Sequence, residues 1–292
     1  MKIGMRLPTR EPFIDWAFIT EWARRADAAG FSSLAVTDRV VHHAKEPLIA
    51  LAVAAGATSR IRLTASAVIV PTRETTLLAR QAASLDALSN GRFTLGVGIG
   101  TRQDDYLATG TDFHTRGRWV EQQLAQLRRI WASEPAGEGI GPIGPAPVRP
   151  GGPEVLIGGY ADALVGRIAH WGDGYLAPVG GDPAANLVLW GRIKDAWRNA
   201  GRAGQPRWVT GAYFALGPNA DEVADRYIDE NYGFKPELAR RIRANVPTSP
   251  EQIYDAIHRL EDLGADEYVL RTCTTTLDEL DAIGEVIAAR PA

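Results

Sequence analysis

The sequence alternates short apolar stretches with amphipathic stretches eight times along its 292 residues. Each apolar stretch has the length of a buried strand, and each amphipathic stretch repeats its apolar residues at helical spacing. Eight strand–helix units in one chain predict a (β/α)8 barrel, a single α/β domain over residues 1–292. The predicted strands are residues 2–7, 33–37, 61–70, 92–98, 154–158, 174–177, 208–216 and 266–271.

A doubly wound Rossmann sheet is the alternative architecture. That fold carries a glycine-rich phosphate-binding turn after its first strand, yet residues 6–10 read Arg-Leu-Pro-Thr-Arg and contain no glycine. Gly96, Gly98 and Gly100 follow the fingerprint no better, because Thr101 stands where a further glycine is needed. The turn residues therefore favour the barrel.

Composition excludes several classes of protein. Hydrophobic residues make up 45% of the chain and charged residues 23%, which is enough to build a large core. The net charge of −3 is spread without a basic block, so no nucleic-acid partner is expected. Cys273 is the sole cysteine, and the longest apolar run, residues 48–57, is too short for a bilayer. The N-terminus has no signal-peptide pattern, so we expect a cytoplasmic protein without membrane association.

Two segments depart from the alternation. Glycine and proline occupy 12 of the 19 positions in residues 135–153, which predicts an excursion with no core of its own. Its place before the fifth strand puts it at the end of the barrel away from an active site. Residues 231–247 fall between the seventh and eighth strands, where a lid segment or an extra helix can cover the barrel mouth.

Functional side chains of a barrel belong at the carboxyl ends of the strands. The second strand is followed by Asp38, which can accept a hydrogen bond from a ligand or pair with Arg39. His42 and His43 come next, but no third ligand is evident, so no metal site is expected. A catalytic serine elbow, a P-loop and a zinc-protease motif are absent from the sequence, and a barrel hydrolase is a distant alternative.

The third and fourth strands end in different chemistry. Ala67 and Val68 lie in a run of small and β-branched residues, which predicts either an apolar wall for a planar ring or plain barrel core. Gly98 removes a side chain at the end of the fourth strand, so a flat group can approach the backbone. A polar cluster that includes Thr101 and Asp104 follows and is predicted to be a loop.

A phosphate site is predicted after the fifth strand. Gly158, Gly159 and Tyr160 lead directly into a helix, whose first amides lack partners and attract anions. Residues 271–276, which begin with Arg271 and contain four threonines, are a rival site after the eighth strand.

Several motifs resemble the luciferase-like monooxygenase superfamily, the flavin- and deazaflavin-dependent barrels related to bacterial luciferase. The resemblance spans essentially the whole chain. Its most specific part is Leu85-Asp86-x-Leu88-Ser89-x-Gly91-Arg92 followed by Leu95-Gly96-Val97-Gly98-x-Gly100. Further matches are Ala29-Gly30-Phe31, Thr58-x-Arg60-Ile61-x-Leu63, Ile157-Gly158-Gly159, Gly172-Asp173-Gly174 and Gly264-Ala265-Asp266.

The resemblance implies a redox ring across the barrel mouth. It implies a non-proline cis peptide at Ala67–Val68 that presses on the ring, and a cofactor phosphate on the backbone of Gly158, Gly159 and Tyr160. It places Asp38 beside the ring and also implies a homodimer.

Two departures from the family pattern bear on the cofactor. Arg39 stands where many relatives have a histidine, and an arginine can hold an anionic oxygen but cannot act as a base at neutral pH. Thr101 replaces a glutamate of some deazaflavin dehydrogenases, while Pro178 and Gly181 replace a hydroxyl and a lysine that hold the acidic tail of coenzyme F420. These departures favour FMN.

The sequence therefore predicts a two-component monooxygenase that takes reduced FMN (FMNH2) from a separate flavin reductase and acts on a small organic substrate with O2. Deazaflavin (coenzyme F420)-dependent hydride transfer, and flavin binding without turnover, are the alternatives. The candidates for orienting substrate or handling protons are Asp38, Arg39, His42 and Asp104. The candidates for cofactor binding are Ala67, Val68, Gly98, Thr101, Gly158, Gly159 and Tyr160.

Overall fold

The computed structural model describes residues 1–180 and 183–290. Eight parallel strands form a closed barrel in chain order, and the last strand pairs with the first through contacts such as Lys2 with Glu267. The predicted (β/α)8 barrel is thereby confirmed. The strands are β1 Lys2–Arg6, β2 Ser33–Val36, β3 Arg62–Ile69, β4 Phe93–Gly98, β5 Glu154–Gly158, β6 Gly174–Leu176, β7 Arg207–Phe214 and β8 Glu267–Thr272.

Eleven α-helices surround or cover the barrel in the described ranges. They are α1 Trp16–Ala28, α2 Pro47–Ala57, α3 Thr75–Leu88, α4 Gln103–Thr109, α5 Arg116–Trp131, α6 Ala163–Trp171, α7 Pro183–Asn199, α8 Ala220–Tyr232, α9 Pro236–Arg243, α10 Pro250–Asp262 and α11 Leu277–Ala288. A single 3-10 turn, Val70–Thr72, follows β3. Gly181, compared above with a lysine of deazaflavin dehydrogenases, lies outside the described residues.

The structure corrects one local prediction. The segment after β4 contains the short helix α4 rather than a loop, with Asp104 and Asp105 in its first turn and Gly110 in the left-handed conformation after its end. Acidic residues stabilise a helix start, so this pattern was readable as a helix. Ser249 and Thr276 cap α10 and α11 through their side chains.

Inward-facing residues fill the barrel in layers. At the amino ends of the strands, the charged side chains of Arg62, Glu154, Arg207 and Glu267 form a basal network. The middle layer is apolar and consists of Ala35, Leu156, Leu176, Val209 and Val269. Side chains alternate along a strand, so the inward position that follows Val269 on β8 is Arg271, which lies at the barrel mouth.

The specific family motif holds the base of the barrel together. The guanidinium of Arg92 donates to the carbonyls of Ala55, Thr58 and Ile61, at the end of α2 and the start of β3. Such a cation satisfies carbonyls that a helix end leaves without partners. Asp86 is buried and accepts from the amide of Val148, which fastens the glycine- and proline-rich segment to the barrel. Only the last part of the motif reaches the mouth.

The two irregular segments lie at opposite ends of the barrel. Residues 135–153 enter β5 at its amino end and are mostly exposed. Residues 231–247 contain α9 and follow α8 on the mouth side, where the two helices share a small apolar cluster that includes Ala224, Ile228, Ala239 and Ile242. Helix α9 therefore contributes to the surroundings of the mouth rather than to the outer ring.

Candidate active site at the barrel mouth

A cavity of about 600 Å³ opens at the carboxyl ends of the strands. Its volume lies in the range of small-molecule sites. Predicted site residues that line it are Asp38, Arg39, His42, Ala67, Gly98 and Thr101. The remaining lining residues are Arg10, Thr37, Val41, Ile69, Gly100, Arg102, Asp105, Tyr213, Glu230, Asn231, Tyr232, Phe234, Lys235, Leu238 and Arg271.

One wall of the cavity is flat and apolar because two glycines face the side chains of Ala67 and Ile69. A Cβ placed on Gly98 would lie 3.3 Å from the Cβ of Ala67, and one on Gly100 would lie 3.0 Å from Ile69 Cγ2. Gly100 also adopts a positive φ of 61°, which favours glycine. A planar group can therefore approach the backbone here.

The end of β3 is irregular at the point where it meets the cavity. A non-proline cis peptide is present, but it joins Ser66 and Ala67 rather than Ala67 and Val68, so the predicted position is wrong by one bond. The pairing with β4 shifts between Ala65 and Val68. Ala67 lines the cavity, whereas Val68 is fully buried in the core between barrel and helices.

Asp38 holds two strand ends together. Its Oδ2 accepts from the amide of Ile69 at 3.0 Å and from Arg73 Nη2 at 3.0 Å. The predicted pairing with Arg39 is therefore wrong, and Arg73 is the partner. Arg73 also pairs with Glu46, and these two carboxylates outweigh its burial, so its pKa is raised. Asp38 borders the cavity as an engaged carboxylate.

Arg39 is held by α4. Its Nε lies 2.9 Å from Asp105 Oδ2, and Asp105 Oδ1 accepts from the amides of Val40 and Val41. Asp105 is buried and lines the cavity, whereas Asp104 is not part of the lining. Hydrogen bonds from Arg102, with the charge of Arg39, lower the pKa of Asp104. Asp104 is therefore a poor proton carrier near neutral pH.

His42 is the one imidazole among the lining residues. Burial lowers the pKa of His42 below 6.5, and the charges of Arg10 and Arg39 lower it further. The amide of Ala44 donates to Nδ1 at 3.0 Å, and Arg10 Nη2 lies 3.4 Å from Nε2, so a hydrogen-bond donor faces each ring nitrogen. At neutral pH this histidine is therefore uncharged.

The predicted phosphate site continues the apolar wall by one strand. Val97 pairs with Ile157, so Gly158, the last residue of β5, lies beside Gly98 at the end of β4. Within the described ranges, the amides of residues 160–163 have no hydrogen-bond partner. Gly159 has a φ of 144° and Tyr160 is half exposed. The three residues border the mouth without lining its cavity.

The rival phosphate site at the start of α11 is already filled. The carboxylate of Glu279 is buried there and accepts from the hydroxyl of Thr272 at 2.6 Å and from the amide of Leu216. Burial raises the pKa of Glu279. A carboxylate at this place repels a phosphate, so only Arg271 of this segment faces the cavity.

Sequence reasoning missed the tyrosines and cations that complete the mouth. Tyr213 comes from the predicted strand β7, and alternation along that strand could have marked it as inward-facing. Tyr232 is the last residue of α8 and Phe234 lies just beyond it, where the helical period ends. Their hydroxyl and ring contacts, Tyr213 with Tyr232 at 2.7 Å and Arg102 over Phe234, appear only in three dimensions.

The chain belongs to the luciferase-like monooxygenase family, whose model matches residues 1–273. An uncharacterized protein of Mycobacterium tuberculosis is 29% identical over 227 residues, which cover 68% of this chain and 77% of that protein. The 4-hydroxyprotoasukamycin monooxygenase of Streptomyces nodosus subsp. asukaensis is 35% identical over 124 residues, 40% of this chain and 32% of that protein. The predicted family and its class, an oxidoreductase of the luciferase-like type, are confirmed.

Solved structures share the whole fold at low identity. The monooxygenase RslO1 from Streptomyces bottropensis superposes with a TM-score of 0.79 at 22% identity, covering 99% of this chain and 98% of that chain. An F420-dependent secondary alcohol dehydrogenase superposes with a TM-score of 0.81 at 17% identity, covering 100% of this chain and 99% of that chain. A third structure is the oxygenating constituent of 3,6-diketocamphane monooxygenase from Pseudomonas putida, solved with FMN. It superposes with a TM-score of 0.75 at 18% identity, covering 99% of this chain and 97% of that chain. These likenesses establish the fold and leave FMN and deazaflavin both open.

None of the helices in the described residues combines the length and the apolar character needed to cross a membrane.

Proposed function

We propose that this protein is an FMN-dependent monooxygenase of the two-component kind, supplied with reduced FMN by a separate flavin reductase. The observation that carries the proposal is the flat wall of Ala67, Ile69, Gly98 and Gly100, which continues into the partnerless amides after β5. A ring on the wall and a phosphate on the amides match the two ends of a flavin nucleotide. The FMN complex of the 3,6-diketocamphane monooxygenase constituent supports the same choice.

When bound, reduced FMN supplies two electrons to O2, so that one oxygen atom enters the substrate and the other leaves as water. The protein's own residues hold and shield the reactants. The glycine wall lets the ring lie against the backbone, and Gly158, Gly159 and Tyr160 bind the phosphate. Residues 230–238, which line the far side of the cavity, would act as a lid that limits access of water.

The predicted catalytic residues take different parts in this proposal. Asp38 and Arg39 are engaged with Arg73 and Asp105, so they shape the site rather than exchange protons. His42 is neutral at working pH, and we propose that its ring helps to orient the substrate. Asp104 orients Arg102 at the rim. We propose Thr101 as a rim contact for the cofactor.

A deazaflavin-dependent hydride transfer is the second candidate, because the F420-dependent alcohol dehydrogenase superposes over the full chain. An anaerobic titration with reduced FMN and reduced coenzyme F420, followed by fluorescence, separates the two. We expect tighter binding of reduced FMN by about tenfold or more, because the partnerless amides suit a terminal phosphate. Tighter binding of reduced F420 would contradict the FMN proposal, and binding of neither would contradict both.

The assembly and location of the protein belong to the same proposal. We propose a cytoplasmic homodimer, since a reductase that delivers a reduced flavin has to share its compartment. Size-exclusion chromatography with light scattering tests the dimer, and a single-chain mass in solution would exclude it.

A further inference from the structure

Arg271 lies at the innermost level of the mouth. On β8 the inward positions are Glu267, Val269 and Arg271, which belong in turn to the basal network, the apolar middle layer and the cavity lining. Arg271 is only 9% exposed. Its guanidinium is therefore a buried charge that points at the space where a ligand binds.

No carboxylate in the described part of the chain pairs with Arg271. Its one side-chain hydrogen bond runs from Nη2 to Ser66 Oγ at 3.3 Å, and its buried Nε has no partner. On the neighbouring strand, Arg6 by contrast pairs with Glu11 at 3.2 Å and donates to Tyr227 at 2.7 Å. A buried cation without a partner is costly to the fold. Arg271 is therefore poised for an anion that is not part of the chain.

The groups around Arg271 also favour an anion. Tyr213, which pairs with Arg271 in the sheet, has its hydroxyl 2.7 Å from that of Tyr232. Burial raises the pKa of Tyr232 well above its usual value, so its hydroxyl is neutral and able to donate. Arg10 and Lys235 also line the cavity, and neither has an ion-pair partner among the described residues.

The acids of the cavity do not offset this charge. Asp38 and Asp105 are engaged with Arg73 and Arg39, and Glu230 is an exposed residue at the rim. The chain as a whole carries a net charge of −3, so the positive mouth is a local property and not an average one. Such a cavity attracts negatively charged ligands.

We infer that the substrate is an organic anion whose carboxylate or phenolate oxygen binds the guanidinium of Arg271. The inference rests on the proposed function, which places the cofactor in the same mouth. A guanidinium can direct two parallel N–H groups at one such anion, and burial strengthens both bonds. The cofactor phosphate is another anion of the mouth, but the amides after β5 stand three strands away from β8 around the barrel.

The test compares anions with neutral amides of the same shape. Isothermal titration of the ligand-free protein uses formate with formamide, benzoate with benzamide, and 4-hydroxybenzoate with 4-hydroxybenzamide. We expect at least one acid to bind the wild type about tenfold more tightly than its amide, and Arg271→Met to abolish that preference. Arg271→Lys keeps the positive charge and should therefore retain part of the preference for the acid. Arg24→Gln, on the exposed face of α1, is the control and should change nothing.

Stability separates a ligand site from a structural role. Removing a buried charge that has no partner should leave the melting temperature of Arg271→Met equal to that of the wild type or above it. The preferred acid should raise the melting temperature of the wild type and not that of Arg271→Met. A variant that melts lower, with an unchanged preference for the acid, would overturn the inference.

Titrations with FMN and riboflavin identify which anion Arg271 serves. We expect Arg271→Met to change the affinities for the two flavins by the same factor, because the phosphate lies elsewhere. A loss confined to FMN would overturn the inference by assigning Arg271 to the phosphate. An equal affinity of the wild type for all three acid–amide pairs would also overturn it. Failure of every flavin to bind, with acid preference intact, would refute the proposed function and leave the anion site standing.

Discussion

Both ends of the barrel interior carry arginines, but those at the base are paired with acids, whereas Arg271 at the mouth has no such pair among the described residues. At the base, Arg207 lies between Glu154 at 2.5 Å and Glu267, and Arg62 approaches Glu154 at 3.3 Å. At the mouth, Arg271 has no acid partner among the residues described. Charges that the fold pairs internally stabilise the barrel, whereas a charge left without a partner is available to a ligand. This division agrees with the general rule that barrels place stability at one end and chemistry at the other.

The largest effect should come from breaking the base. Arg207→Met leaves the carboxylate of Glu267, which is 1% exposed, buried without its cation. We expect a loss of about 3–5 kcal/mol in the free energy of unfolding, measured by urea denaturation. The double variant Arg207→Met/Glu267→Gln should recover much of this loss, because no uncompensated charge is left.

The control for the base is the exposed ion pair of Arg198 with Asp195 on α7. Arg198→Met should cost no more than about 0.5 kcal/mol, since exposed pairs contribute little. If Arg207→Met were equally mild, the base would not be the stabilising end, and the comparison of the two ends would fail.

The next effect separates two neighbouring aspartates at the mouth. Asp105→Asn removes the charge that holds Arg39 and the amides of Val40 and Val41. We expect a loss of about 1–3 kcal/mol in unfolding free energy and faster amide exchange at both valines. Asp104→Asn is the matched control and should change the unfolding midpoint far less, because its pairs with Arg102 and Arg39 are partly exposed to solvent whereas Asp105 is buried. A larger loss of stability in Asp104→Asn than in Asp105→Asn would assign the structural role to Asp104.

A smaller effect should appear in cofactor binding alone. Gly98→Leu fills the flat wall beside Ala67, so the affinity for reduced FMN should fall about tenfold or more with little change in melting temperature. Gly191→Leu introduces the same side chain on α7, where an added Cβ meets nothing within 4 Å. Equal affinities for the two variants would show that the ring binds elsewhere.

The smallest effect concerns the pH dependence of His42. Burial and the charges of Arg10 and Arg39 lower the pKa of His42, so the unfolded chain takes up this proton first as pH falls. His42 therefore contributes stability above its ordinary pKa of 6.5, and this contribution is lost as pH falls through the folded value. NMR titration of the ring should give a midpoint below 6.5, and Arg10→Gln should raise it. A midpoint above 6.5 would contradict this account.

The sequence predicted the barrel because its alternation is local. All eight strands were located within two residues of their observed ends, since strand and helix periods depend on near neighbours. The partner of Asp38 could not be found in that way, because Arg73 lies 35 residues further along and meets it only after two strands pair. The same limit applies to Asp104 and Asp105, which are adjacent in sequence but differ in burial through the path of α4.

The lone cation at the mouth was within reach of the sequence only in part. Arg271 was included in a rival phosphate site because threonines and a helix start follow it. The structure shows Glu279 at that helix start, so the anion preference belongs to Arg271 by itself. Whether an arginine is paired depends on every acid that the fold brings near it, and no local pattern contains that information.

The most direct test of the account is a crystal structure of the protein with bound FMN. We expect the ring on the wall of Ala67 and Gly98, the phosphate on the amides that follow β5, and Arg271 facing the remaining space. A flavin bound away from the carboxyl ends of the strands, or a phosphate held by Arg271, would contradict it.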